Sequence, residues 1–224
     1  MSSTFKSIRP KAVIQVPEPP IARFLFADTR MAWLWLIVRL YVGYQWLVAG
    51  VEKLFGFNID FTSGKSFWTG SLNDWWIFGP HLGAQMTGFA NGAIAKAAGT
   101  HPAVQDWYAW FLKNFVVPGA GFWSYMVTFG EVLVGLGLIF GVLTGIAAFF
   151  GVFMNMNFLL AGAVSINPII GGLAIFLVLA WRVAGYYGVD RWLLPLLGTP
   201  WTGTLARAEQ AQPKQPTPPV PAAG

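Results

Sequence analysis

The chain has 224 residues, of which 55% are hydrophobic and only 10% charged, with a net charge of +5 and no cysteine. Soluble domains carry about a quarter charged residues, so this composition excludes an ordinary soluble enzyme and places the chain in the integral membrane class. The missing cysteines exclude disulfides, thiolate metal sites and iron–sulfur ligation within this chain, and basic residues gathered at the amino end rather than along an aromatic face exclude a nucleic-acid footprint.

An arm of residues 1–30 comes first, with Lys6, Arg9, Lys11, Arg23 and Arg30 against Glu18 and Asp28. The first apolar run, 31–54, is too long and too polar-ended for a signal-peptide core and reads as an uncleaved span. Residues 55–121 form a connection punctuated by Gly56, Gly64, Gly70, Gly79-Pro80, Gly99 and Pro102. Within it, Trp107, Trp110, Phe111 and Phe115 recur at three- and four-residue spacing, the pattern of an interfacial amphipathic helix, and Leu82–Ala98 is a candidate for another short helix. With Trp68, Trp75 and Trp76 this segment predicts an aromatic belt or cap.

Three more runs, 122–141, 144–164 and 169–188, are long enough to span a bilayer. After the last come Arg191, Arg207 and Lys214, and a tail at 201–224 too rich in proline to fold alone. The basic flanks put both termini in the cytoplasm and 55–121 outside. The expected fold is all-α and integral to the membrane: one domain over 31–200, a four-transmembrane-helix bundle whose long extracytoplasmic, aromatic-rich connection contains short interfacial helices.

Charges inside the apolar runs frame the functional question. Glu131 sits in the second run, Arg39 in the first and Arg182 in the fourth. A charge at the bilayer centre costs about 3 kcal/mol on insertion scales, so each is a candidate for function or for a buried ion pair. At about 1.5 Å per residue, Arg39 lies about 12 Å from the cytoplasmic start of its span. Glu131, Asn155, Asn157 and Arg182 fall in the same half by the same measure. Pointing them all inward predicts a network in which Glu131 accepts from Arg39 or Arg182 and the asparagines complete the bonding. Two arginines against one carboxylate suit an electron-rich head group such as a quinone carbonyl, with Tyr44, Trp46 and Trp181 as candidate walls. A structural ion-pair network and a transport pathway are the competing readings. For Glu52 and Lys53, at the outer end of the first span, snorkelling is explanation enough, and Lys53 is kept beside Asn155 and Asn157 as a candidate ligand-binding residue.

Counting excludes other chemistry. The two histidines, His81 and His101, both fall in the outer connection, so no span offers haem an axial imidazole and no metal site is expected. Gly137, Gly141 and Gly145 follow a four-residue step, and Gly130, Gly135, Gly151 and Gly162 add small notches for close helix packing.

The first span, Val38-Arg-Leu-Tyr-Val-Gly-Tyr-Gln-Trp-Leu-Val-Ala-Gly-Val-Glu-Lys-Leu-Phe55, resembles the opening of DoxX-type membrane proteins, and Gly130-Glu-Val-Leu-Val-Gly-Leu-Gly-Leu-Ile-Phe-Gly141 resembles their second conserved helix. The aromatic connection and Ala180-Trp-Arg-Val-Ala-Gly-Tyr-Tyr-Gly-Val-Asp-Arg-Trp192 look more like the DoxD branch, the small subunit of thiosulfate:quinone oxidoreductase. The resemblance implies a four-helix subunit of a quinone-linked redox complex in a bacterial or archaeal cell membrane, with quinone as substrate, further membrane subunits as partners and no covalent cofactor. It carries Arg39, Gly43, Gly50, Lys53, Glu131 and Gly135 as matching positions. A non-catalytic structural subunit and a small-solute or proton-linked transporter are the alternatives.

Overall fold

The structure is a computed structural model describing residues 18–57 and 75–197. Most of the expected amino arm, the part of the outer connection around Trp68 and the proline-rich tail lie outside the described residues.

Helices α1 (Pro20–Ala27) and α2 (Ala32–Phe55) are joined by a short 3-10 turn, Thr29–Met31. Proline opens α1 at a position where its missing N–H costs nothing. Asp28 caps the turn by accepting from the Arg30 amide and side chain, and these bonds hold its carboxyl below the usual carboxylate range. Two cap helices follow, α3 (Ala84–Ala95) and α4 (Asp106–Phe111), the latter running into a π-helical turn at Leu112–Val116. Then come α5 (Ala120–Phe140), α6 (Thr144–Leu160), α7 (Asn167–Leu179), α8 (Trp181–Ala184) and α9 (Asp190–Leu196). No strand occurs among the described residues.

Two stretches, Thr29–Phe55 and Ala120–Phe140, are long and apolar enough to cross a membrane. The other two expected spans are shorter apolar helices: α6 has 17 residues and α7 has 13. The fourth run breaks at Ala180, and α8 is a separate turn. Large apolar side chains face outward along the bundle: Leu133 is 67% exposed and Phe153 60%. Such a surface suits hydrocarbon rather than water.

The antiparallel pair α2 and α5 forms the spine, and glycines set its register. A Cβ on Gly50 would fall 2.8 Å from the Val132 backbone, and one on Gly135 would fall 2.6 Å from the Leu47 backbone. Gly43 faces Leu138 and Ile139 in the same way. Backbones this close gain dispersion contacts that lipid cannot replace. Gly141 and Gly162 are different: both sit at positive φ and close helix ends, Gly141 donating its N–H to the Gly137 carbonyl. They are caps, not notches, because only glycine enters the left-handed region without strain.

A core of Trp35, Val42, Trp46, Val134, Leu138, Ala148, Ala174 and Leu177 joins α2, α5, α6 and α7. The cap has its own core. Val104, Tyr108, Leu112 and Val116 recur every fourth residue on its buried face, while Trp107, Trp110 and Phe115 point away. The expected amphipathic helix is therefore present, with Trp107, Trp110 and Phe115 on its exposed face and Phe111 packed against the cap core. Tyr108 donates its hydroxyl to the Asn157 carbonyl at 3.0 Å, and burial pushes its phenol up to about 12.

Candidate functional site

The register of α2 against α5 decides which charges meet. Gly50 faces Glu131 and Val132, so Lys53, one turn further along α2, rises beside Glu131. Lys53 Nζ lies 2.5 Å from both Glu131 carboxylate oxygens. Glu131 is 2% exposed and the Lys53 side chain 19%, so the pair is buried but open on the lysine side.

It opens on a cavity of about 260 Å³. Helix α5 supplies Ser124, Val127, Thr128 and Glu131 to its wall, a run of spacings that keeps one face of a helix. Met86 and Phe89 of α3, Phe158 of α6, Asn167 of α7, and Trp75 and Ile77 close the other sides. The lysine also stands over the Trp75 ring at 5.8 Å. Thr128 Oγ1 is buried without a hydrogen-bond partner among the described residues. Leaving a buried hydroxyl unpaired costs about 1–3 kcal/mol, which marks a position suited to a ligand oxygen or a water. Asn167 accepts from Asn155 at 3.2 Å and donates to the Ala163 carbonyl at 2.7 Å, and Asn155 in turn packs on Gly171. The chamber thus combines one cation, one carboxylate and neutral hydrogen-bonding groups inside aromatic walls.

A second buried cluster lies at the other end of the spine. Fourteen residues separate Arg39 from Lys53 on α2, about 21 Å of helix. Arg39 Nη2 donates to the Tyr187 carbonyl at 3.1 Å, against the backbone of Gly141 and Gly188. Asp190 accepts from the Leu143 amide at 2.6 Å and the Thr144 amide at 2.8 Å, capping α6 from a distance of almost fifty residues in sequence. Backbone bonds from Val189 to Phe140 and from Asp190 to Gly141 complete the corner. Leu143, at φ 48, is held in a left-handed conformation there.

A DoxX family model matches residues 34–162, more than half of the chain. The chain belongs to the DoxX family. Searches of curated proteins and of solved structures return no match. The matched region of this DoxX membrane protein contains Arg39, Lys53, Thr128 and Glu131, whereas Asn167 and Asp190 follow it.

Placed in the DoxX bundle, the expected site residues divide. Glu131 pairs with Lys53 and not with Arg39 or Arg182, which corrects the single-network expectation. Depth alone grouped the charges; side-chain reach and the glycine register separate them. Arg182, on α8, is half-buried and bonds to Glu18 at 3.3 Å, beside Trp181. Asn155 reaches the chamber through Asn167, but Asn157 turns to the cap, accepting from Tyr108. Trp46 is buried and stacks on Phe158 at the chamber wall, while Tyr44 is 42% exposed on the outer face of α2. Lys53 is no snorkelling residue, since its ammonium turns inward. Sequence reasoning missed Ser124, Thr128, Phe89, Phe158 and Asn167. The first two were within reach, because Ser124, Thr128 and Glu131 follow helical spacing; the others needed the packing of α3, α6 and α7.

Proposed function

We propose that this DoxX protein is the quinone-associated membrane subunit of a redox complex, and that the chamber at Lys53 and Glu131 receives the quinone head group. The observation carrying this reading is a buried ion pair opening into an aromatic-walled cavity with an unpaired hydroxyl. A quinone ring is flat and apolar and carries two carbonyl oxygens. Phe89, Phe158 and Trp75 line the chamber as aromatic neighbours for such a ring, and Lys53 offers a cation to the oxygen where negative charge develops on reduction. Reduction to the quinol adds two electrons and two protons; the electrons come from a donor subunit, and Glu131 is placed to pass a proton. The likeness of the outer connection and of residues 180–192 to the DoxD branch points the same way.

We read the membrane arrangement as four crossings with both termini in the cytoplasm. Helix α6 extends about 25 Å, and α7 continued by α8 covers a comparable depth, so tilt and modest bilayer thinning suffice for both.

The test is quinone content after purification in mild detergent. Wild type is expected to retain quinone, the Lys53→Met/Glu131→Leu double variant to lose it, and Arg39→Lys to keep it, since Arg39 lies far from the chamber. Wild type without quinone, or equal occupancy in all three proteins, leaves a scaffold subunit as the better reading.

A further inference from the structure

The Lys53–Glu131 pair is buried, yet the helix face that carries it is polar toward one end. Ser124, Thr128 and Glu131 occupy positions i, i+4 and i+7 of α5, and all three line the chamber. Beyond Glu131 the same helix turns apolar: Val134 is 3% exposed and Leu138 fully buried in the core. Toward the amino-terminal end of α5, Ser124 also borders a second, smaller depression walled by His81, Leu82 and Gln85. Trp75, Ile77 and Ser124 line both spaces, so the two are neighbours on either side of these side chains.

We propose that this face is the wall of a hydrated route, leading from the aqueous phase beyond the amino-terminal end of α5 to the Lys53–Glu131 pair, by which Glu131 exchanges protons on one side only. Its polar stops lie one helical turn apart and span about 10 Å, a gap that one bridging water closes at each step. The Thr128 hydroxyl, buried without a partner among the described residues, stands midway along the route, placed to donate and accept there. The Val134 and Leu138 side chains end the route below the carboxylate. No electron moves along it; a proton taken from water at the Ser124 mouth reaches the Glu131 carboxylate, and Lys53 stays an ammonium ion. The inference deepens the reading above and rests on it only for the ligand.

The cysteine-free sequence makes the route directly testable. Single Ser124→Cys, Thr128→Cys and Val134→Cys proteins in lipid nanodiscs would be treated with a small sulfonate-bearing methanethiosulfonate. The first two are expected to react to completion and the third to stay unmodified. Thr128→Cys reacting no faster than Val134→Cys overturns the route, and so does reaction at Thr128→Cys with none at Ser124→Cys, because water would then arrive another way. Wild type supplies a measurement free of substitutions. A water-soluble carbodiimide should join Glu131 to Lys53 as an amide with loss of water, seen by mass spectrometry; a link formed only by an apolar carbodiimide counts against hydration. A decyl-substituted benzoquinone should slow modification of Thr128→Cys. Full reactivity without protection supports the route and removes the quinone.

Discussion

Glu131 is buried with Lys53 reaching both of its oxygens. Breaking such a pair by removing one partner costs about 3–5 kcal/mol, whereas replacing both with apolar groups of similar volume is often neutral. Glu131→Gln is therefore expected to lower the thermal midpoint in detergent clearly, and Lys53→Met/Glu131→Leu to recover most of it while abolishing quinone retention. A double variant no more stable than Glu131→Gln would mean that the pair contributes more to folding than its charge balance. Arg39 belongs to a different balance. Among the described residues its guanidinium leaves Nε and Nη1 without partners, inside a corner held by Asp190. Asp190→Asn weakens two amide bonds at the start of α6 and should cost about 1–2 kcal/mol without changing quinone content; loss of quinone in that variant would join the two clusters after all.

At the level of helices, the glycine contacts separate positions that look alike in sequence. Gly135→Ala forces a methyl into the Leu47 backbone and should destabilise by about 1–3 kcal/mol, as overpacked cores do. Gly172→Ala meets nothing within 4 Å and should be neutral or stabilising by up to about 1 kcal/mol. Equal thermal midpoints for the two variants would refute the close α2–α5 approach. The cap makes its own prediction through Tyr108. Its phenol holds its proton more tightly in the folded chain than in the unfolded one, so this contribution is complete below pH 10.0 and is lost as pH rises toward about 12. Tyr108→Phe should cost about 1 kcal/mol near neutrality and should flatten the alkaline loss of stability between those values. An unchanged alkaline slope would assign that loss to other groups.

For the molecule as a whole, the proposed orientation in the membrane rests on the basic flanks and is checked by labelling. Gln105→Cys, exposed at the start of α4, should react with an impermeant maleimide on intact cells, and Leu196→Cys, exposed at the end of α9, only after permeabilisation. The reverse pattern would invert the protein. Membrane class, helical content, the first and second long apolar helices and the DoxX resemblance were all legible in the sequence, because lipid demands long apolar stretches and leaves only helices to satisfy their backbones. Glu131 stood out for the same reason: a carboxylate in such a stretch is costly wherever its helix packs. Its partner was not legible. Depth pointed to Arg39 or Arg182 and set Lys53 aside at the outer end of its span; finding the true partner needed the α2–α5 register, which the glycine contacts decide. The chamber likewise exists only where α3, α6 and α7 meet the α5 face, since each helix alone presents a few apolar or neutral side chains and their enclosure is a property of the packing.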